Sequence, residues 1–97
     1  MQLRDLLQQP NAIIIDVREP WEFQSGHVEG SFNIPMGEVP GRVKEFLEME
    51  GPIVLVCASG NRSGMAANFL SARGVQKVYN GGGWYDAHRI QLAIKRA

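Results

Sequence analysis

The organisation of this chain can be worked out from the segment Val54-Leu55-Val56-Cys57-Ala58-Ser59-Gly60-Asn61-Arg62-Ser63-Gly64. Its first three residues are branched aliphatics, which are typical of a strand buried inside a parallel sheet. Cys57, the only cysteine, follows directly, and the next residues are small or polar turn formers. A helix is predicted to begin near Ser63. The segment therefore predicts a strand, a tight loop and a helix, with a sulfur at the carboxyl end of the strand.

A sulfur in that position faces the amino terminus of the following helix. Backbone N–H groups there have no partner inside the helix and can bind an anion. The same groups lower the pKa of a thiol and favour the nucleophilic thiolate. Arg62 adds a positive charge on the loop. We predict that Cys57 is a reactive thiolate in an anion-binding cradle, and not a small buried hydrophobic residue, as many free cysteines are.

The composition is that of an ordinary globular protein with one core. The chain has 97 residues, of which 44% are hydrophobic and 21% charged, and we expect one domain over residues 1–97. No apolar run approaches the roughly 20 residues of a membrane span, and the first residues lack the apolar stretch of a signal peptide. One cysteine allows neither an internal disulfide nor a zinc site built from cysteines. We expect a cytoplasmic protein, or a periplasmic one if a signal peptide has been removed.

The net charge of zero conceals an asymmetry between the two halves of the chain. Residues 1–50 contain nine acids and four bases, whereas residues 51–97 contain one acid, Asp86, and six bases. The half with the Cys57 loop is therefore basic, which suits a small anionic substrate, although a solvated charged surface would look the same. Six scattered bases without interleaved aromatic residues do not indicate a nucleic-acid partner.

The rest of the chain alternates between helical and strand patterns. Strands are expected at 12–17, 31–35, 53–56 and 75–79, helices at about 3–9, 18–24, 40–48, 63–73 and 87–96, and a turn at glycines 81–83. This alternation predicts an α/β fold with a parallel sheet of four to five strands flanked by helices. The loops after parallel strands meet at one edge, so Asp16-Val17-Arg18 should lie near the Cys57 loop.

Three groups of residues resemble the signatures of the single-domain rhodaneses, a family of thiosulfate and related sulfurtransferases. Asp16-Val17-Arg18, Glu22-Phe23, Gly26-His27-Val28, Gly30 and Asn33-Ile34-Pro35 match the N-terminal signature, residues 57–63 the active-site loop, and Tyr79-Asn80 with glycines 81–83 the C-terminal signature. The similarity covers nearly the whole chain. It implies the three-layer rhodanese-like fold.

The resemblance also implies a reaction. Cys57 would take a sulfane sulfur from thiosulfate or a related donor, become a persulfide, and pass the sulfur to cyanide or a thiol, with a thioredoxin-like protein as a candidate acceptor. The residues that would hold the charged sulfur are those of the substrate-binding loop: Ala58, Ser59, Gly60, Asn61, Arg62 and Ser63. Arg62 would also attract the anionic donor, and Asp16 and Arg18 would support the loop. No metal, organic cofactor, nucleic acid or membrane is implied.

The length of the Cys57 loop distinguishes sulfur transfer from phosphatase and arsenate-reductase chemistry. Cys57 and Arg62 are spaced as Cys-x4-Arg, whereas phosphatases that share the fold have Cys-x5-Arg, a wider cradle suited to phosphate. Sulfur transfer is therefore favoured over phosphatase or arsenate-reductase chemistry, and there is no second cysteine to resolve an intermediate. A third interpretation is a sulfur-carrier or regulatory module that acts on a protein partner. The physiological donor, the acceptor and the oligomeric state do not follow from the sequence.

A few residues outside the loop need an interpretation of their own. Asp16 and Arg18 fit a structural ion pair at a strand end as well as a role in tuning the loop. His27 is expected to be structural and His88 to lie on the surface, while Trp21 and Phe23 are expected in the core or a lid. Relatives often carry a tryptophan where this chain has Ala87, so Trp84 is expected to shape the pocket wall differently.

Overall fold

The computed structural model describes residues 2–96, and its centre is a four-stranded parallel sheet in the order β2-β1-β3-β4. The strands are β1 Ile13–Asp16, β2 Phe32–Asn33, β3 Ile53–Cys57 and β4 Val78–Gly83. The helices are α1 Leu3–Gln8, α2 Pro20–Gln24, α3 Val43–Leu47, α4 Asn61–Ala72 and α5 Trp84–Arg96, with a 3₁₀ segment over Met36–Arg42. The predicted α/β class and parallel sheet are confirmed.

The central strand β3 separates two hydrophobic layers. Its five residues are all buried, and successive side chains point to opposite faces of the sheet. On one face Ile53, Leu55 and Cys57 pack with the 3₁₀ segment, α3 and α4. On the other, Val54 and Val56 pack with α1 and α5. Helices on both faces explain why β3, and β1 up to its final Asp16, are apolar in succession instead of alternating.

All four strands present their carboxyl ends at one edge of the sheet. The register places Asp16 beside Asn33 and Val56, and Cys57 beside Gly83. The loop after β1, the loop after β3 and the start of α5 therefore meet there, as the sequence predicts.

The glycine run is a correction to the predicted turn at 81–83. These residues belong to β4, where the pairing shifts from Leu55 opposite Asn80 to Val56 opposite Gly82. Gly81 is the extra residue of this β-bulge, and a Cβ on it would lie 2.6 Å from Cγ1 of Val54. A glycine is needed because the bulge brings the backbone against the neighbouring strand. Val75, predicted to start this strand, lies between α4 and β4 and belongs to neither.

The helix boundaries also differ from those expected. The pattern over 40–48 is divided between the 3₁₀ segment, which ends at Arg42, and α3, which begins at Val43. Helix α4 begins at Asn61, two residues before the predicted Ser63, and α5 begins at Trp84, three residues before the predicted start at 87. A glycine follows the end of α4: Gly74 has a φ of +95°, and the N–H of Val75 donates to Leu70 O at 3.1 Å.

None of the helices among residues 2–96 is both long enough and apolar enough to cross a bilayer.

Candidate active site

Cys57 is the last residue of β3 and lies beneath the first turn of α4. The residue is 1% exposed. Backbone N–H groups of the loop point at its sulfur: Gly60 N lies 3.0 Å and Ser63 N 3.4 Å from Sγ. The structure thus brings together the strand end, the loop and the helix start, and the loop backbone bends so that unpaired N–H groups converge on one sulfur.

Gly60 makes the bend of this cradle possible. It stands at the N-cap of α4 with a φ of +100°, a left-handed conformation that favours glycine. A Cβ on it would lie 3.3 Å from Cα of Gly82, so the bulge of β4 also limits the space at this point. Among the other loop residues, Ala58, Ser59 and Asn61 are exposed and form the outer side of the loop.

The hydroxyl of Ser63 is the third polar group at the sulfur. Ser63 is fully buried, and its Oγ lies 3.3 Å from Cys57 Sγ and 2.7 Å from Asn80 Oδ1. A hydroxyl has one proton to donate. The hydroxyl therefore serves one of these two acceptors at a time.

The environment of Cys57 favours the thiolate. Burial of the sulfur acts to raise the pKa of the thiol, but hydrogen bonds from the Ser63 hydroxyl and from the N–H groups of Ser63, Ser59 and Gly60 outweigh it and hold the pKa below its ordinary value. A larger fraction of Cys57 is therefore ionised at neutral pH than for an ordinary cysteine. Because the thiolate is the nucleophile, its reactivity should rise with pH through this lowered pKa.

Arg62 differs from the free positive charge that the sequence suggests. Its Nη1 and Nη2 donate to Oε1 and Oε2 of Glu22 at 2.7 and 3.0 Å, a bidentate ion pair between α2 and the first turn of α4. The hydrogen bonds from Arg62 and from the Glu19 N–H lower the pKa of Glu22 to about 2. The net charge of the pair is close to zero, so the uncompensated positive potential of the loop comes mainly from its backbone N–H groups.

Replacing Glu22 by glutamine should free the charge of Arg62. If the substrate is an anionic donor such as thiosulfate, we expect Glu22→Gln to lower its KM about threefold to fivefold at low salt, the size of one nearby charge at a partly exposed site. Steady-state kinetics at two salt concentrations measure this, and Glu48→Gln, an equal charge change at the exposed end of α3, is the matched control. A KM that changes no more in Glu22→Gln than in the control would refute the assignment.

Asp16 and Arg18 form a buried ion pair at the end of β1. Asp16 is fully buried and accepts hydrogen bonds from Arg18 N, Nε and Nη2 at 3.0, 2.9 and 2.8 Å. Nη2 also donates to Gly26 O at 2.7 Å. The pair thus fixes the loop after β1, and neither side chain makes a hydrogen bond to the Cys57 loop within the described residues. A bracing role explains these contacts.

Trp84, expected to shape the pocket wall, lies beside Arg18 and Gly26. Its ring lies 4.8 Å from Cζ of Arg18, a cation–π contact, and would lie 3.2 Å from a Cβ on Gly26. Ala87, at the position where relatives often have tryptophan, is fully buried against the sheet. Trp84 therefore packs against the loop after β1.

The sequence also predicts the surroundings of four other residues. His27 stacks on Phe23 at 3.7 Å, and its Nδ1 lies 2.7 Å from Phe23 O. Phe23 is half-buried. Trp21 is 71% exposed, so of the two expected places, core or lid, the core is wrong for Trp21, and the lid stays a prediction. His88, expected on the surface, is half-buried beside Trp84.

Two residues make contacts at the site that the sequence did not predict. Glu22 and Asn80 enter the sequence argument only as members of the matched signatures, yet Glu22 neutralises Arg62 and Asn80 contacts Ser63. Glu22 lies 40 residues from its partner, and Asn80 lies 17 residues from its own. No local pattern joins such pairs. Among residues 2–96, no group of three or more His, Cys, Asp or Glu side chains is arranged to hold a metal ion.

Comparisons with known proteins identify the family of this chain. Residues 1–88 match the family model of the rhodanese-like domain. The chain is 33% identical over 88 residues to the thiosulfate sulfurtransferase GlpE of Tolumonas auensis, which covers 91% of this chain and 82% of that protein. It is 43% identical over 67 residues to the putative sulfur carrier protein YrkF of Bacillus subtilis, 69% of this chain but 36% of that protein. A solved structure titled as a rhodanese with anions from E. coli is 37% identical, with a TM-score of 0.70 over 77% of this chain and 89% of that one.

Proposed function

Because this chain belongs to the rhodanese-like domain family, we propose that it transfers a sulfane sulfur from thiosulfate or a related donor to a thiophilic acceptor through a persulfide on Cys57. The observation that carries the proposal is the convergence of Gly60 N, Ser63 N and Ser63 Oγ on one buried sulfur. The thiosulfate sulfurtransferase GlpE, a relative over most of the chain, supports the same reaction class.

In the first half of the reaction the Cys57 thiolate attacks the outer sulfur of thiosulfate. A new S–S bond forms to Cys57, the S–S bond within thiosulfate breaks, and its electron pair leaves with sulfite. The terminal sulfur of the persulfide carries the negative charge that the thiolate had. The N–H groups of the loop are preorganised donors for that charge, so they stabilise the thiolate and the persulfide in turn.

In the second half an acceptor removes the outer sulfur. Cyanide attacks that sulfur, the Cys57–sulfur bond breaks, and thiocyanate leaves while the thiolate is restored. A thiol acceptor would take the sulfur as its own persulfide, and a thioredoxin-like protein is the proposed protein acceptor. The cycle needs a reduced Cys57, which the cytoplasm maintains, so we propose a cytoplasmic location.

A sulfur-carrier module is the second candidate, and the similarity to the putative sulfur carrier protein YrkF favours it. The chain covers 36% of that relative's length, so only the part that matches bears on this comparison. Phosphatase or arsenate-reductase chemistry is less suited to this site. The loop is one residue shorter than the phosphatase spacing, and the charge of Arg62 is compensated by Glu22.

Steady-state thiocyanate formation tests the proposal. With thiosulfate and cyanide both varied, the expected double-reciprocal plots are parallel lines, the pattern of a ping-pong reaction with a covalent intermediate. The same assay with a polysulfide and with a cysteine persulfide as donors compares donor classes. Intersecting lines, or no thiocyanate from any of the three donors, would contradict it. A carrier module would form the persulfide but release sulfur to cyanide slowly.

A further inference from the structure

The side chain of Asn80 ties the Cys57 cradle to β4. Its Oδ1 accepts hydrogen bonds from Ser63 Oγ at 2.7 Å and from Gly82 N at 3.0 Å, and its Nδ2 donates to Gly60 O at 3.1 Å. Gly64 lies against the same amide, because a Cβ on it would be 3.0 Å from Nδ2. With Gly82 in the bulge of β4, one amide thus holds two of the residues that surround the sulfur, Gly60 and Ser63.

We propose that Asn80 is a positioning residue that competes with the Cys57 sulfur for the single proton of the Ser63 hydroxyl. The distances define the competition: Oγ is 2.7 Å from Asn80 Oδ1 and 3.3 Å from Sγ. With a neutral thiol the proton belongs to the closer and more basic amide oxygen, and the S–H can donate to Oγ. With a thiolate the charged sulfur is the stronger acceptor, and the hydroxyl turns to it at the expense of the bond to Asn80.

The competition has a consequence for ionisation. Each hydrogen bond to the charged form of a group favours that form, so the Ser63 hydroxyl helps the thiolate only by the difference between its two bonds. Without the Asn80 oxygen the hydroxyl would have no competing acceptor, and its whole hydrogen bond to the sulfur would lower the pKa of Cys57. Asn80 therefore keeps Cys57 less acidic than its cradle alone would make it. A less acidic thiolate is also intrinsically more nucleophilic, because nucleophilicity falls with pKa.

The charged groups around the sulfur do not prevent measurement of the effect of Asn80 on the pKa of Cys57. They comprise two ion pairs and one carboxylate: Arg62 with Glu22, Arg18 with Asp16, and Asp86 of α5, whose Oδ2 would lie 3.6 Å from a Cβ on Gly83. The ion pairs are internally compensated, and none of these groups contacts Ser63 or Asn80 among the described hydrogen bonds. A change at Asn80 can thus be followed against a fixed electrostatic background.

The test is a double-mutant cycle on the ionisation of Cys57. The pKa of the thiol is measured from the pH dependence of alkylation by iodoacetamide and from thiolate absorbance, with Cys57 as the only cysteine. Asn80→Ala is made in the parent protein and in Ser63→Ala. In both the parent and Ser63→Ala, Asn80→Ala removes the hydrogen bond to Gly60 O. Only in the parent does it also remove the acceptor that competes for the Ser63 hydroxyl. The difference between the two effects isolates the competition.

We expect Asn80→Ala to shift the pKa downward in the parent relative to its effect in Ser63→Ala, by about 0.5 to 1 pH unit, the size of one gained hydrogen bond. Equal shifts in both backgrounds, or a shift of opposite sign, would overturn the proposal and leave Asn80 as a loop anchor only. Asn68→Ala, an exposed asparagine of α4, is the matched control and should change neither background.

A second variant, Asn80→Asp, tests the same proposal if Asn80→Ala does not fold. Asn80→Asp keeps the acceptor and makes it stronger, so the pKa of Cys57 should rise more in the parent than in Ser63→Ala; an equal rise would overturn the proposal. The inference rests on the same nucleophile as the proposed function, but the measurement uses no sulfur donor. Failure of the cycle would therefore leave sulfur transfer untouched, and failure of sulfur transfer would leave the cycle interpretable.

Discussion

Replacement of Cys57 by serine should reduce thiocyanate formation from thiosulfate and cyanide by at least about 10³-fold, the effect typical of removing a nucleophile. The hydroxyl of serine has no base within its contacts to remove its proton, since the groups that converge on this position are donors. A cradle of donors stabilises an existing anion but cannot generate one from an alcohol. The loss should therefore be in kcat as well as in kcat/KM.

The controls separate loss of chemistry from loss of structure. Cys57→Ala should lose activity to the same degree, whereas Ser59→Ala, a side chain on the exposed part of the loop, should stay within about threefold, as expected for a surface substitution. Circular dichroism and thermal melting of each variant show whether the fold is kept. Turnover by Cys57→Ser above about a tenth of the parent rate would mean that the nucleophile lies elsewhere.

Removal of the Asp16 carboxylate should reduce the free energy of unfolding by about 3 to 5 kcal/mol, because it leaves the buried positive charge of Arg18 without a counter-charge. Arg18 has a side chain that is 6% exposed, and three of its N–H groups donate to Asp16. In Asp16→Ala those donors lose their acceptor and the guanidinium loses its counter-charge. The loss is large for a domain whose whole stability is about 5 to 15 kcal/mol.

An exposed ion pair of the same chain provides the comparison. Arg42 and Glu45 are paired at 2.9 Å with side chains that are 34% and 52% exposed, and Glu45→Ala should cost no more than about 1 kcal/mol. Urea denaturation followed by circular dichroism measures both variants. If Asp16→Ala lost no more stability than Glu45→Ala, the buried pair would not be the brace described above.

The strand, loop and helix around Cys57 could be predicted because the pattern is local. An apolar run, a turn and a helical stripe follow one another within 54–72, and parallel topology then places the ends of β1 and β3 at one edge. The cradle at the sulfur follows from the same local order, since helix starts carry free N–H groups. The parallel sheet flanked by helices could be predicted from the alternation of elements.

The contacts that differ from expectation all join distant parts of the chain. Glu22 reaches Arg62 from another helix, and Gly81 bulges only because Val54 and Val56 lie beside it. Glycine runs are typical of turns as well as bulges, and the neighbouring strand decides between them. The hydrogen bonds of Asn80 to Gly60 and Ser63 depend on that bulge, so the pattern of residues 78–83 alone could not predict them.

The most direct measurement of the central claim is an intact-protein mass spectrum after brief incubation with thiosulfate, repeated after cyanide is added. We predict a gain of one sulfur atom that maps to Cys57 and disappears with cyanide, while Cys57→Ser gains nothing. A polysulfide and a cysteine persulfide are offered in parallel as donors. A protein that stays unmodified with all three donors, or that carries its sulfur on another residue, would contradict sulfur transfer through Cys57.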